Sequence, residues 1–269
     1  MPIRFERPSD HPGVALVTID RPEAANSLDP ETLAQLAQAW REAADDDDVR
    51  VVVVTGAGDR VWCSGMDLKT TIPASQRLAT GERVSEIEFE GLRSVKTATL
   101  AGFSIGKPMI AAVNGHARGG GFDFMLATDI RYAVPSATFA LEEVALGFYP
   151  TGHATVQLPK QIGWVHASEI LYTAQPFSAQ KALEIGLINA IVEPDALLRR
   201  AFATADQIAS NGPLAVKATW AGVRELMHLD LETAYERQEE LGKPLRKTED
   251  AREAQRAFAE KRKPVFKGR

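Results

Sequence analysis

With 269 residues, 45% hydrophobic and 25% charged, the chain has the composition of an ordinary globular enzyme, with apolar material for one large domain or a domain plus an appendage, which excludes disordered and membrane-embedded classes. A formal charge of −5 and a pI near 5.6 give no broad attraction to phosphate polymers, so nucleic acid is not an expected partner and any anion site must be local. Cys63 is the single cysteine, residues 1–13 lack the apolar core of a signal peptide, and no apolar run approaches the roughly 18 residues that span a bilayer, so a cytoplasmic protein without membrane attachment is expected.

Val14 to Asp20 alternates as a strand does, and Ile3 to Arg7 can pair with it across a turn at Ser9 to Gly13. Asp29-Pro30-Glu31 then supplies a helix N-cap, a proline at the first helical position and an early acid. Leu33, Leu36, Ala37 and Trp40 follow at helical spacing. Arg50 to Thr55 carries four consecutive valines, the mark of a strand covered on both faces, and Pro108 to Val113 repeats that character after a polar helical stretch. Past Pro194 the pattern is almost wholly helical, and Thr248-Glu249-Asp250 caps a last charged helix reaching about Lys261. These elements predict a mixed α/β body over residues 1–195 and a helical C-terminal region over 196–269.

Three local motifs point elsewhere and do not fit their surroundings. Gly102-Phe103-Ser104-Ile105-Gly106 matches a nucleophile elbow, but a helical region precedes it and a strand follows, the reverse of what the elbow requires. Gly56-Ala57-Gly58 begins a dinucleotide fingerprint, yet Val61 stands where the third glycine belongs and no helix opens there. The five histidines have neither helical pairing nor a cysteine cluster, so no metal site is expected, and Cys63 beside Trp62 reads as a packing residue.

Three other segments are harder to explain as packing: Trp62 to Leu68 (WCSGMDL), Val113 to Asp123 (VNGHARGGGFD) and Phe139 to Val144 (FALEEV). Each follows or accompanies a predicted strand. Their glycines let the backbone approach a ligand and aim N–H groups at it, and a triplet opening a helix adds the positive end of a dipole. On their own, Asp123 reads as an early helix acid near the N-terminal dipole and Glu142-Glu143 as a solvated pair sooner than as catalytic groups.

At these residues the chain resembles the enoyl-CoA hydratase/isomerase (crotonase) family, whose signatures are a [FW]-x-[AS]-G-x-D-[LI] loop and an N-G-x-[AC]-x-G-G-G segment opening a helix. The resemblance extends to Arg21 to Leu28, Ser178 to Ile188 and Glu260 to Phe266, nearly the whole chain. It implies a ββα spiral core, a C-terminal helical region that builds a homotrimer, often paired into a hexamer, and an acyl-CoA thioester substrate with coenzyme A as part of the substrate and no separate cofactor. It also implies an oxyanion hole from the N–H groups of Met66 and Gly120, with Glu143 and Asp123 as the acid/base pair; Asp123 stands where hydratases usually carry glutamate, one methylene longer. Ala24, Ala25, Ser64, Asp67 and Leu68 would contact coenzyme A, and the basic tail with Lys263, together with Phe266, would reach its phosphates or wall its site, in this subunit or a neighbour.

The reaction so implied is reversible hydration of a 2-enoyl-CoA. An isomerase using Glu143 alone, a hydrolase or lyase on the same fold, and a catalytically silent CoA-binding protein are the alternatives. In place of the family's Gly-rich run, the chain has Pro150 to Leu158 with His153 inside it, which reads either as a group binding a functionalised acyl chain or as a surface helix histidine.

Overall fold

A computed structural model describes residues 1–269. Strand β1 (Ile3–Glu6) pairs antiparallel with β2 (Val14–Ile19), as their alternation predicts. Helix α1 (Pro30–Asp45) starts where Asp29 accepts the Thr32 N–H, and it buries Leu33, Leu36, Ala37 and Trp40. Its neighbour is α3 (Glu86–Ala98), which opens on a Ser85–Glu88 capping box. Trp40 is fully buried and donates its indole N–H to the Ala98 carbonyl at 2.9 Å, so the aromatic ring is covered without stranding its polar atom.

The valine run forms β3 (Val51–Gly56), buried along its whole length. It is a central strand of a six-stranded sheet ordered β1-β2-β3-β5-β7-β10, where β5 is Met109–Val113, β7 Ile130–Ala133 and β10 Ala190–Ile191. Every pairing from β2 onward is parallel. A second, four-stranded sheet is ordered β4-β6-β8-β9, from β4 (Val61–Cys63), β6 (His116–Arg118), β8 (Thr138–Ala140) and β9 (Phe177–Ser178). Successive strands of the chain thus alternate between sheets, β3 to β4 and β5 to β6 and β7 to β8, which is the repeating ββα course of the spiral.

The helices between these strands are α2 (Thr71–Ala79), α4 (Gly120–Met125), α5 (Ala154–Ile162), α6 (Trp164–Thr173) and α7 (Ala179–Glu184). Past Pro194 come α8 (Leu197–Ala209), α9 (Pro213–Leu226), α10 (Leu231–Gly242) and α11 (Glu249–Ala259), the last capped by Thr248 as expected. Helix α8 lies against β2, β3, β5 and β7 and puts Leu197, Ala201, Ala205 and Ala209 into the main core. The first helix beyond residue 196 is therefore part of the α/β body, while α9 and α10 bury a single residue between them, Gly222. No helix is long and apolar enough to cross a membrane.

Candidate active site

Strands β4, β6 and β8 lie side by side and parallel, about 4.8 Å apart. The segments leaving their C-terminal ends therefore converge: Ser64–Leu68 after β4, Gly119–Gly121 after β6, and Leu141–Glu143 after β8. These are the three segments singled out in the sequence, and small-sheet pairing is what brings them together.

Gly65 adopts φ +85°, a left-handed conformation, and a methyl group built on it would stand 2.7 Å from the Gly120 nitrogen and 3.1 Å from the Arg118 carbonyl. Only glycine permits that approach. Across the gap, the Cβ position of Gly120 lies 3.5 Å from the Met66 nitrogen. The N–H groups of Met66 and Gly120 are thus neighbours, and neither donates to an acceptor within the chain. Gly119, at φ +47°, turns the chain into α4 by donating to Ala140 at 2.9 Å and accepting from the Asp123 N–H at 2.9 Å. Because α4 is only six residues long, the two free N–H groups, more than a helix dipole, make this corner receptive to negative charge.

The β4 loop is held from below. Leu28 donates to Gly65 at 2.8 Å and accepts from Asp67 at 3.1 Å, clamping both sides of Met66. The Asp67 carboxylate accepts from Ser27 Oγ at 2.9 Å and from the N–H groups of Lys69 and Thr70, and faces Arg21 at 3.5 Å. Burial alone would raise its pKa, but these hydrogen bonds and the Arg21 charge outweigh burial and hold it below the ordinary carboxylate range. Asp67 is therefore a staple of the loop. Ala24 and Ala25 form the adjoining turn, where Ala25 and Asn26 are both left-handed and the buried Asn26 amide donates to Ala57 at 2.9 Å and Val61 at 2.7 Å.

Glu143 opens a short 3-10 turn, Glu143–Leu146. Its Oε1 lies 3.5 Å from the Cβ position of Gly119, and its Oε2 is buried with no hydrogen-bond partner. Burial, then the negative charges of Asp123 and Glu142, push its pKa up. A buried carboxyl whose pKa is raised, lining the same cavity as two free N–H donors, has the character of an acid/base group. Glu142, by contrast, is paired with Arg118 at 2.8 Å.

Asp123 is 7% exposed, and its Oδ1 accepts from the His153 N–H at 2.8 Å and the Ala154 N–H at 2.7 Å. Burial raises its pKa, and the two N–H groups offset only part of that rise. It caps the start of α5, a tie that its own helix gave no hint of, while Oδ2 accepts from no donor in the chain. Cys63 is fully buried, with burial pushing its thiol up to about 12, an inert packing group as expected.

Met66, Gly120, Asp123 and Glu143 face one cavity of about 340 Å³, whose walls include Ser64, Leu68, Ile72, Val95, Thr99, Leu146, Phe148 and Tyr149. Phe148 and Tyr149 are exposed at its mouth and were not singled out in the sequence, although an aromatic pair directly after Gly147 is a visible signal. Lys263 and Phe266 are not brought to this cavity within one chain. The Phe266 carbonyl accepts from Arg50 at 3.4 Å, before β3, whereas the site adjoins the far end of that six-residue strand, roughly 20 Å away. His153 is half-buried and sits against Thr99, which does wall this cavity. Its Nε2 meets the Thr99 carbonyl at 3.0 Å, and it lines a second cavity of about 520 Å³.

Residues 9–269 match the family model described as enoyl-CoA hydratase/isomerase. The chain is 39% identical to an (E)-benzylidenesuccinyl-CoA hydratase of Thauera aromatica over the full length of both. It is 36% identical to a short-chain-enoyl-CoA hydratase of Clostridium acetobutylicum, covering 93% of this chain and 92% of that one. Among solved structures, an enoyl-CoA hydratase from Bacillus anthracis superposes with a TM-score of 0.89 at 33% identity, all of both chains being covered.

Proposed function

Because the chain belongs to the enoyl-CoA hydratase/isomerase family, we propose that it adds water reversibly across the 2,3 double bond of a 2-enoyl-CoA thioester. The observation that carries this reading is the juxtaposition of two acceptor-free N–H groups, Met66 and Gly120, with the partnerless buried oxygen of Glu143. Hydration places negative charge on the thioester oxygen as hydroxide equivalent reaches C3, and donors fixed at that oxygen lower the barrier, each by typically about 10² to 10³ in rate. The water oxygen bonds to C3, one of its protons passes to a carboxylate, and a carboxyl proton closes the enolate at C2, so the acids together hold as many protons at the end as at the start. Glu143 fills the acid/base role, and Asp123 contributes through its free Oδ2 while Oδ1 holds α5.

Coenzyme A enters as part of the substrate, and the addition requires no metal or redox cofactor. The loop carrying Ser64 and Leu68 and the turn at Ala24 and Ala25 form its path to the cavity. Lys263 and Phe266 would serve that path only across a subunit boundary. A homotrimer, or a dimer of trimers, accords with the apolar side chains left open on α6, α9 and α10, where Trp164 is 71% and Leu231 76% exposed. A cytoplasmic location fits the composition.

The commitment of Asp123 Oδ1 to two main-chain donors favours one second reading, an isomerase in which Glu143 alone moves a proton between C2 and C4. Loss of enoyl absorbance from crotonyl-CoA, followed for wild type, Glu143→Gln and Asp123→Asn with ester binding measured in parallel, tests the proposal. Hydration abolished by Glu143→Gln with binding intact supports it. A wild type that binds esters, hydrates none and converts 3-enoyl-CoAs to 2-enoyl-CoAs replaces it with the isomerase.

A further inference from the structure

We infer that the His153 side chain is the stopper that ends the acyl cavity and so sets the length of acyl chain the protein accommodates, an inference that rests on the acyl-CoA reading above. The cavity holding Glu143 runs past Asp123 to Val95 and Thr99. A second cavity, larger at about 520 Å³, adjoins Thr99 through Leu100, and its walls mix apolar Leu100, Phe103 and Met109 with charged Asp129, Arg131 and Lys160. The chain turns sharply between the two, Leu100 taking φ +60°, and the adjacent residues Thr99 and Leu100 face different cavities. His153 is pinned into that partition at both ends. Its N–H is held by Asp123 at 2.8 Å and its Nε2 meets the Thr99 carbonyl at 3.0 Å, and both of those residues face the acyl cavity.

The imidazole itself lies on the side of the second cavity. A chain growing from the thioester toward Thr99 therefore reaches a partition braced by a hydrogen-bonded ring, with the mixed polar and apolar wall of the second cavity beyond it. Substitution at 153 keeps the main-chain N–H, and hence the Asp123 tie, so the ring can be removed without dismantling the acids. Shortening the side chain joins the two cavities, and each further methylene buried against the apolar part of that wall is worth about fourfold in affinity.

The test compares wild type, His153→Ala, His153→Ser and His153→Phe by calorimetric binding of saturated acyl-CoAs from four to twelve carbons, and by kcat/KM on 2-enoyl-CoAs of the same lengths. In wild type, affinity rises with length and then levels. In the alanine and serine variants it continues to rise beyond that length, by about tenfold or more over the next two methylenes. The phenylalanine variant, which restores a ring of similar bulk without the hydrogen bond, levels where wild type does. Alanine and serine variants that level at the wild-type length, or a phenylalanine variant that does not level, overturn the inference; either small variant suffices if the other does not fold. Should no length be hydrated while the binding series behaves as expected, the hydratase reading fails and the stopper stands. Should hydration proceed with parallel length profiles in every variant, the reverse holds.

Discussion

Gly65→Ala is the substitution whose effect the geometry fixes most closely. The added methyl would lie 2.7 Å from the Gly120 nitrogen, about 0.7 Å inside the 3.4 Å at which ordinary contact begins, and its three nearest neighbours, Gly120 N, Arg118 O and Gly121 N, are all main chain. No flexible side chain can give way, so the loops after β4 and β6 must part. An oxygen bound at about 2.9 Å from both N–H groups would then sit about 3.6 Å from one of them, beyond hydrogen-bond range. Losing one such donor costs about 10² to 10³ in kcat, or about 2.7–4 kcal/mol of barrier. A left-handed alanine at φ +85° adds roughly 1–2 kcal/mol of destabilisation, which a domain of this size tolerates. The assay is steady-state hydration of crotonyl-CoA, with circular dichroism and thermal melting to establish that the variant is folded. A folded Gly65→Ala protein with kcat within threefold of wild type refutes the idea that the spacing of these two N–H groups governs the rate.

Other outcomes follow from the acids and the tail. Glu143 has a folded pKa above its unfolded value, so it disfavours the fold increasingly as pH rises from the ordinary carboxylate range through that raised value; Glu143→Gln is expected to melt higher than wild type at pH 8, with the advantage vanishing near pH 4, and equal melting temperatures at pH 8 would contradict it. Asp123→Asn keeps an oxygen for the His153 and Ala154 N–H groups but removes a negative charge that raises Glu143, so the acidic limb of kcat/KM against pH should move to lower pH; an unmoved limb in an active variant counts against it. Asp123→Ala strands two N–H donors at the start of α5 and should cost about 1–3 kcal/mol in urea unfolding, clearly more than the asparagine variant. Glu253 accepts from Arg256, from Arg262 at 2.6 Å and from the Val265 N–H at 3.1 Å; Glu253→Ala is therefore expected to speed hydrogen exchange and proteolysis across residues 262–269, and unchanged rates there would exclude this clasp.

The large sheet was legible because its central strands carry their burial in composition. Four successive valines need no partner to announce a strand covered on both faces, and Asp29-Pro30 announces a helix start by local chemistry alone. The small sheet was hidden for the opposite reason: β4, β6 and β8 are three residues each, too short for any periodicity, and only their pairing gives them meaning. Met66, Gly120 and Glu143 could be named because the motifs containing them are local. What Asp123 touches could not, since its N–H partners lie 30 and 31 residues further along the chain. The course of the tail was hidden in the same way. Its positive charge was readable, but the buried Asp250 and Glu253 that hold it, through Lys267 and Gly268 N–H on one and Arg262 on the other, act through folding back that no linear reading displays.

The placement of Met66, Gly120 and Glu143 at the ends of three adjacent parallel strands divides the proposed chemistry into two independently variable parts. Charge stabilisation is written in main-chain atoms whose spacing the ladder sets, and it survives almost any exchange of the Met66 side chain. Proton handling is written in side chains on the third strand's exit and on α4. A redesign that altered which proton moves, by replacing Glu143 or relocating its carboxyl along the Glu143–Leu146 turn, would inherit the anion-holding corner intact. On that proposal the scaffold would be a reusable socket for thioester enolates, with the reaction type chosen by a few interchangeable groups around it.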